Sequence, residues 1–217
     1  MSDKQNIVEE AIKVFLQYGI RSVTMDDLSR LLSISKKTLY QHFTDKESLI
    51  IAALETHRCG VKAMLEEARK IAQDPIQELL IFSQWEQYAT NQVPPVVIFD
   101  LKKYHPAIWK SVLEQEFNYS RSWLHENLEK GIEQGLYRND ISTDIVVRLY
   151  LAQREGMLQD YIFPDSSGLL ADSISVSDDL FIRGIATELG LERLLSYKQQ
   201  VLPSLIDIRN SNPQKNQ

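Results

Sequence analysis

The sequence predicts an all-α protein, with a small three-helix head that contains a helix-turn-helix and a larger helical body. Three observations lead there. Apolar residues recur at helical spacing from Ile7 to Leu202, and no stretch alternates as a strand would. Glycines, prolines and short polar clusters interrupt that pattern about once per helix length. Near the N-terminus, two short amphipathic segments are joined only by Ser33-Ile34.

The elements follow in order. A first helix, about Lys4 to Tyr18, buries Ile7, Ala11, Val14 and Phe15 and stops at Gly19. Thr24 caps a second through Leu32, with Val23 and Leu28 as its hydrophobic staple and Met25, Leu28, Leu31 and Leu32 as its apolar stripe. Ser35 caps a third, backed by Leu39 and Phe43, which are four residues apart on one face. A long helix runs from Lys46 to about Ala72 and is ended by Asp74-Pro75. Further helices are expected at about Pro75 to Asn91, Val96 to Lys103, Pro106 to Gln134, Thr143 to Phe163, Ser177 to Ile185 and Thr187 to Leu202. Pro164 to Ser177, rich in Ser, Asp and Gly, reads as a loop whose middle could be helical, and the polar tail from Asn210 reads as disordered. The expected domains are 1–47, 48–210 and a 211–217 tail.

The third helix carries the chemistry. Lys36, Lys37, Thr38, Tyr40 and His42 occupy its outer surface, and every one can donate a hydrogen bond to a phosphate or base edge. A short helix backed by apolar residues, crowded with donors and free of acids suits the major groove. The candidate DNA contacts are Thr24, Ser35, Lys36, Lys37, Thr38, Tyr40, His42 and Lys46. Tyr40, His42 and Lys46 are expected on phosphates, and Lys37, with Lys36 beside it, on base edges. The plainer reading is a three-helix bundle with a solvated charged face. It leaves unexplained the three donors at a capped helix start and the spacing of Tyr40, His42 and Lys46.

Bulk charge gives no hint of this. There are 24 Lys+Arg against 30 Asp+Glu, for a net charge of −6. Residues 1–50 hold seven bases and seven acids, so attraction to DNA has to be local, around residues 36–46. Apolar runs are too short to span a membrane, the N-terminus lacks a signal peptide's apolar core, and Cys59 is the single cysteine; a cytoplasmic protein is expected. His42, His57, His105 and His125 are scattered outside any metal-ligand spacing, and no phosphate-cradling glycine loop appears, so neither an enzyme nor a cofactor is expected.

Residues 7–50 resemble the DNA-binding domain of TetR-family transcriptional repressors. The resemblance rests on Ala11, Phe15, Gly19, Thr24, Leu28, Thr38-Leu39-Tyr40, His42-Phe43 and Lys46-Glu47-Ser48-Leu49. The chain departs from the family at Leu32 and Ser33, where a small residue and a glycine are usual, and at Lys37, where a small residue is frequent. More loosely, Gly131-Ile132-Glu133-Gln134-Gly135 with Asp140, and Arg183-Gly184-Ile185-Ala186-Thr187 with Gly190 and Leu191, are similar to stretches of the family's body. The resemblance implies a homodimer joined by a four-helix interface of the last helices. It also implies an effector pocket among the central helices, and a fourth helix that shifts to move the two heads apart.

A homodimer also follows from the residues. One helix-turn-helix makes few contacts, and two half-sites a helical turn apart need two heads. The helix from Thr143 has Ile145, Val146, Leu149, Tyr150, Ala152, Met157, Leu158 and Tyr161 over an arc too wide for one core face. Candidate ligand-binding residues are Trp85, Tyr88, Phe99, Tyr104, Trp109, Phe117, Trp123, Tyr150 and Met157, which suggest an apolar or aromatic effector. Arg154 and Glu155 are expected in surface ion pairs rather than at that site. The expected function is thus an effector-responsive repressor on a double-stranded, palindromic operator. The alternatives are an activator on the same scaffold, or a helical ligand- or protein-binding module that no longer binds DNA specifically.

Overall fold

The computed structural model describes residues 3–159 and 166–199. Among them the chain forms ten helices: α1 (Asp3–Tyr18), α2 (Met25–Leu31), α3 (Lys36–His42), α4 (Lys46–Ile71), α5 (Pro75–Asn91), α6 (Pro95–Tyr104), α7 (Pro106–Glu133), α8 (Thr143–Met157), α9 (Ser166–Ile185) and α10 (Glu188–Gln199). Among the described residues the β pairing is confined to an isolated antiparallel bridge between Tyr137 and Ala186. The chain divides into two compact units, Met1–Ala63 with Asn91–Asn118, and Met64–Thr90 with Tyr119–Gln217.

The first unit is built on most of the stripes read from the sequence, but Leu31, expected on the apolar stripe of α2, is 51% exposed at the end of that helix, and Val14 is only half-buried, Val8 being the buried residue on its helix. Ala11, Leu28, Leu39 and Leu49, one from each of α1 to α4, are wholly buried together. Val97 and Leu101 of α6 complete that core, and Ile108 and Trp109 pack at its edge. Gly19 ends α1 at φ +80°, its N–H donating to Phe15 O at 2.9 Å. Between α2 and α3 the backbone turns on Ser33 at φ +55°, a left-handed conformation that favours glycine. Ser33→Gly should therefore relieve strain and stabilise the protein by about 1 kcal/mol, read as a rise in Tm. An unchanged or lower Tm would show that Ser33 is not strained.

The second unit holds two buried polar knots. Tyr137 lies so close to α7 that a Cβ on Gly131 would fall 2.0 Å from its ring. Its hydroxyl donates to Asn127 Oδ1 at 3.1 Å, and Asn127 Nδ2 donates to Pro75 O and Glu78 Oε2. The second knot centres on Arg154. Its Nη2 donates to the Tyr150 hydroxyl at 2.7 Å and to Asp178 Oδ1 at 2.5 Å, and lies 3.0 Å from Glu86 Oε2. This guanidinium is buried, not the surface ion pair expected of it, whereas its neighbour Glu155 is exposed. Burial works against the charge of Arg154, but Tyr150, Glu86 and Asp178 outweigh it and hold the proton more tightly than usual.

The stretch 164–177 is a second correction. The structure places α9 over Ser166–Ile185, so most of the expected loop is helix. Ser and Asp cost only a few tenths of a kcal/mol each in a helix, and burial of Ile174, Ser177, Asp178 and Ile182 on one side decides the outcome. The helix expected to reach Phe163 stops at Met157, with Leu158 as its C-cap. Tyr161, Leu202 and the tail from Asn210 lie outside the described residues.

Candidate functional site

α3 forms where it does because both ends are fixed locally. Ser35 Oγ accepts the Thr38 N–H at 3.0 Å, and the Phe43 N–H donates to Leu39 O at the other end. Leu39 and Phe43 are buried, which turns the opposite face of the helix to solvent. α2 starts on a capping box in which the Asp27 N–H donates to Thr24 Oγ1 at 3.1 Å and the Thr24 N–H donates to Asp27 Oδ2 at 3.0 Å. The hydrogen bonds from the Thr24 hydroxyl and N–H hold the Asp27 carboxyl below its usual range. Asp45 caps α4, accepting the Ser48 N–H at 2.8 Å.

All eight candidate DNA contacts lie in the first unit, but they are not equivalent. Thr24 and Ser35 are engaged as caps, and Thr38, whose N–H the Ser35 cap accepts, has its hydroxyl 2.7 Å from that of Ser35. Lys37 and Tyr40 are exposed, and His42 is half-buried. None of these three makes a hydrogen bond or ion pair with another described residue. Lys36 Nζ contacts Asp26 Oδ2 at 2.6 Å. Both side chains are mostly exposed, and such a pair contributes about 0–1 kcal/mol, too little to keep Lys36 from a phosphate or base. Lys46 is half-buried; burial lowers its pKa, and Asp100 and Asp27 partly offset that. Sequence spacing gave no sign of Asp26 beside Lys36, because the pair spans two helices.

The nine ligand candidates are divided between the units. Phe99, Tyr104, Trp109 and Phe117 belong to the first, and Trp85, Tyr88, Trp123, Tyr150 and Met157 to the second. Phe99 and Tyr88 are about half exposed. In the second unit Trp85 is buried beside Ala68 and Ile81, and Trp123 packs on Phe82 with ring centroids 4.9 Å apart. Tyr150 packs on Phe181 and is tied to Arg154. The same unit has a cavity of about 140 Å³, lined by Leu80, Gln84, Asp178 and Lys198 among others. A crevice of about 290 Å³ is lined by Gln73, Gln134, Arg193 and Tyr197 among others. None of the nine candidates lines either space.

Two further features bear on function. Ile145 and Leu149 on α8, and Val176 and Leu180 on α9, are exposed i,i+4 pairs on helices that touch each other. Among the described residues, no group of three or more His, Cys, Asp and Glu is arranged to hold a metal ion, and no helix is long and apolar enough to cross a membrane.

Residues 7–53 match the family profile "Bacterial regulatory proteins, tetR family". The chain is 24% identical over 155 residues to the HTH-type transcriptional regulator YhgD of Bacillus subtilis, covering 69% of this chain and 81% of that protein. It is 20% identical over 174 residues to the probable acrEF/envCD operon repressor of Escherichia coli K12, covering 75% and 77%. Among solved structures, a transcriptional regulator from Cytophaga hutchinsonii superposes with a TM-score of 0.74 at 15% identity, covering 84% of this chain and 98% of that one.

Proposed function

We propose that this chain, which belongs to the TetR family of transcriptional regulators, binds a palindromic operator as a homodimer and is released from it by a small molecule. The observation that carries the DNA half is the solvent face of α3. It presents Lys37, Tyr40 and His42 without internal partners, beside Lys36 and half-buried Lys46. Charge distribution favours the same reading. The unit that contains α3 has 12 bases and 11 acids, while the other has 12 bases and 19 acids. An acidic body discourages loose association with DNA and leaves binding to the local cations.

The dimer half is supported by the exposed apolar pairs on α8 and α9. The effector half is supported by the aromatic load of the second unit. Because Trp85 and Trp123 are already packed, an apolar ligand that contacts them has to displace their present neighbours. Ligand and operator must then weaken each other by the same factor, and tenfold corresponds to about 1.4 kcal/mol.

Operator binding is tested with a duplex that the wild-type protein selects from a randomised library. Lys46→Ala should weaken binding to all sequences alike and reduce the salt slope by about 1. Lys37→Ala should cost about 1–3 kcal/mol on the selected duplex and relax preference at one base of each half-site. Equal loss on selected and random DNA for Lys37→Ala would move that residue to the phosphate backbone. Failure to enrich any duplex would remove the DNA-binding reading and leave the ligand- or protein-binding module.

A further inference from the structure

One face of α6 is built to grip the loop between α1 and α2. Val97, Asp100, Leu101 and Tyr104 recur at i, i+3, i+4 and i+7, so they share that face. Val97 and Leu101 enter the core of the first unit, and Asp100 lies between them, 4% exposed. Its Oδ2 accepts the backbone N–H of Arg21 at 2.7 Å. The loop comes so near that a Cβ on Gly19 would lie 3.2 Å from Asp100 Oδ2 and 3.3 Å from Val96 Cγ2. The Arg21 side chain folds onto Tyr104: its Cζ is 4.4 Å from the ring centroid, and its Nη1 donates to the hydroxyl at 2.5 Å. In the first turn of α4, Glu47 Oε1 lies 3.3 Å from Nδ1 of His105, the C-cap of α6.

A carboxylate is an expensive filler for such a place. Burying it costs free energy that an apolar residue between Val97 and Leu101 would not incur. What it adds is direction, because it ties the Arg21 N–H to α6 in a loop whose own bonds, from the Val23 N–H to Ile20 O at 3.4 Å and from the Ser22 hydroxyl to Tyr18 O, are internal and do not fix its place against that helix. That loop leads within three residues to Thr24, the cap of α2 and a candidate DNA contact. We propose that Asp100 and Tyr104 are positioning residues for operator binding, holding the Arg21 loop and, through it, Thr24 and the start of α2 in the DNA-competent place. This rests on the DNA-binding reading above. It also assigns Tyr104 to the DNA reader rather than to an effector site.

The test uses the full-length protein and the duplex selected by wild type, with affinity read by fluorescence anisotropy. Asp100→Ala should weaken binding about tenfold, the loss expected when a part-buried N–H is left unpaired and the loop it holds is released. In Asp100→Asn the amide oxygen can accept the same N–H, so affinity should stay within about threefold of wild type. Tyr104→Phe keeps the ring and loses only the hydroxyl bond, for a loss of about threefold. A role confined to packing would lower Tm without singling out any contact. The positioning role predicts instead that Asp100→Ala costs less than about threefold when introduced into Thr24→Ala, because the contact it sets is already gone.

Equal losses for Asp100→Ala and Asp100→Asn would overturn the proposal, as would a full tenfold loss in the Thr24→Ala background. If Asp100→Ala does not fold, the same cycle is run with Tyr104→Phe, and an unchanged affinity for that variant overturns the proposal. Wild-type protein that selects no duplex overturns the DNA-binding reading itself, a result distinct from any of these.

Discussion

Leu149→Glu together with Leu180→Glu is expected to convert the protein into a folded helical monomer whose operator affinity falls by at least about 100-fold. The two leucines are 65% and 62% exposed, among the most exposed large apolar side chains described. A single exposed leucine needs no explanation, since much of any protein surface is apolar. Here each sits one turn from another exposed β-branched residue, Ile145 on α8 and Val176 on α9, and the two helices are in contact. Two adjacent apolar stripes give a face that a second copy can cover by two-fold symmetry, with each patch meeting itself. A stable interface should bury more than about 1,200 Å² in total. Carboxylates in the middle of that face would have to be desolvated without partners, so association fails while the interior of each subunit is untouched. The DNA consequence follows from tethering. Two linked heads bind as one, and a lone head keeps only its own half-site contacts. Light scattering gives the mass, circular dichroism the helix content, and anisotropy the affinity. A wild-type protein that is monomeric at micromolar concentration would sink the dimer, and a monomeric variant with undiminished affinity would sink its link to DNA.

Local features were the ones legible in the sequence. α5 lies where sequence expects it, at Pro75–Asn91, because Asp74 and Pro75 specify its start and Asn91 precedes a Val-Pro-Pro break. α2 and α3 are legible from their Thr24 and Ser35 caps, both of which make cap hydrogen bonds in the structure. The donor face of α3 was legible for the same reason, since one turn of helix decides which side each residue takes. What escaped is non-local or set by burial. Lys36 meets Asp26 ten residues away across a turn, and Arg21 meets Asp100 after 79 residues, separations at which no periodicity operates. α9 crosses a Ser- and Asp-rich stretch because Ile174, Asp178 and Ile182 are buried by neighbours from elsewhere in the chain. Composition alone reads that stretch as a loop. The departure at Ser33 was visible as a residue where glycine is usual, and the structure supplies its meaning as a positive φ.

Arg154→Leu is expected to destabilise the protein by about 3–5 kcal/mol, with a large fall in Tm. On the surface, where sequence spacing alone puts it, its loss would cost little. In the structure it is the cation of a group drawn from three helices of the second unit: half-buried Glu86 from α5, buried Tyr150 and Arg154 from α8, and buried Asp178 from α9. Removing it leaves the Asp178 carboxylate buried with only the Tyr150 hydroxyl still donating to it, at 3.1 Å, and takes Glu86 out of its ion pair. The buried Asp178 carboxylate is then left without its cation, with half-buried Glu86 adding a second negative charge to the group, and the cost far exceeds the lost packing of the side chain. The diagnostic comparison adds Asp178→Asn and Glu86→Gln to Arg154→Leu. With no net charge left to bury, the triple variant should recover most of the lost stability, whereas a role in packing alone predicts no recovery. The consequence should reach the partner subunit as well. Tyr150 and Arg154 face inward from α8 while Ile145 and Leu149 face out, and Asp178 and Val176 divide α9 in the same way. The buried charges therefore fix the two helices whose outer stripes are proposed to form the dimer. Arg154→Leu should weaken dimerisation without touching the interface, measurable as a higher dissociation constant in sedimentation at a temperature where the variant is still folded. An unaltered dimer in a variant that has lost several kcal/mol would show that the cluster serves the core alone.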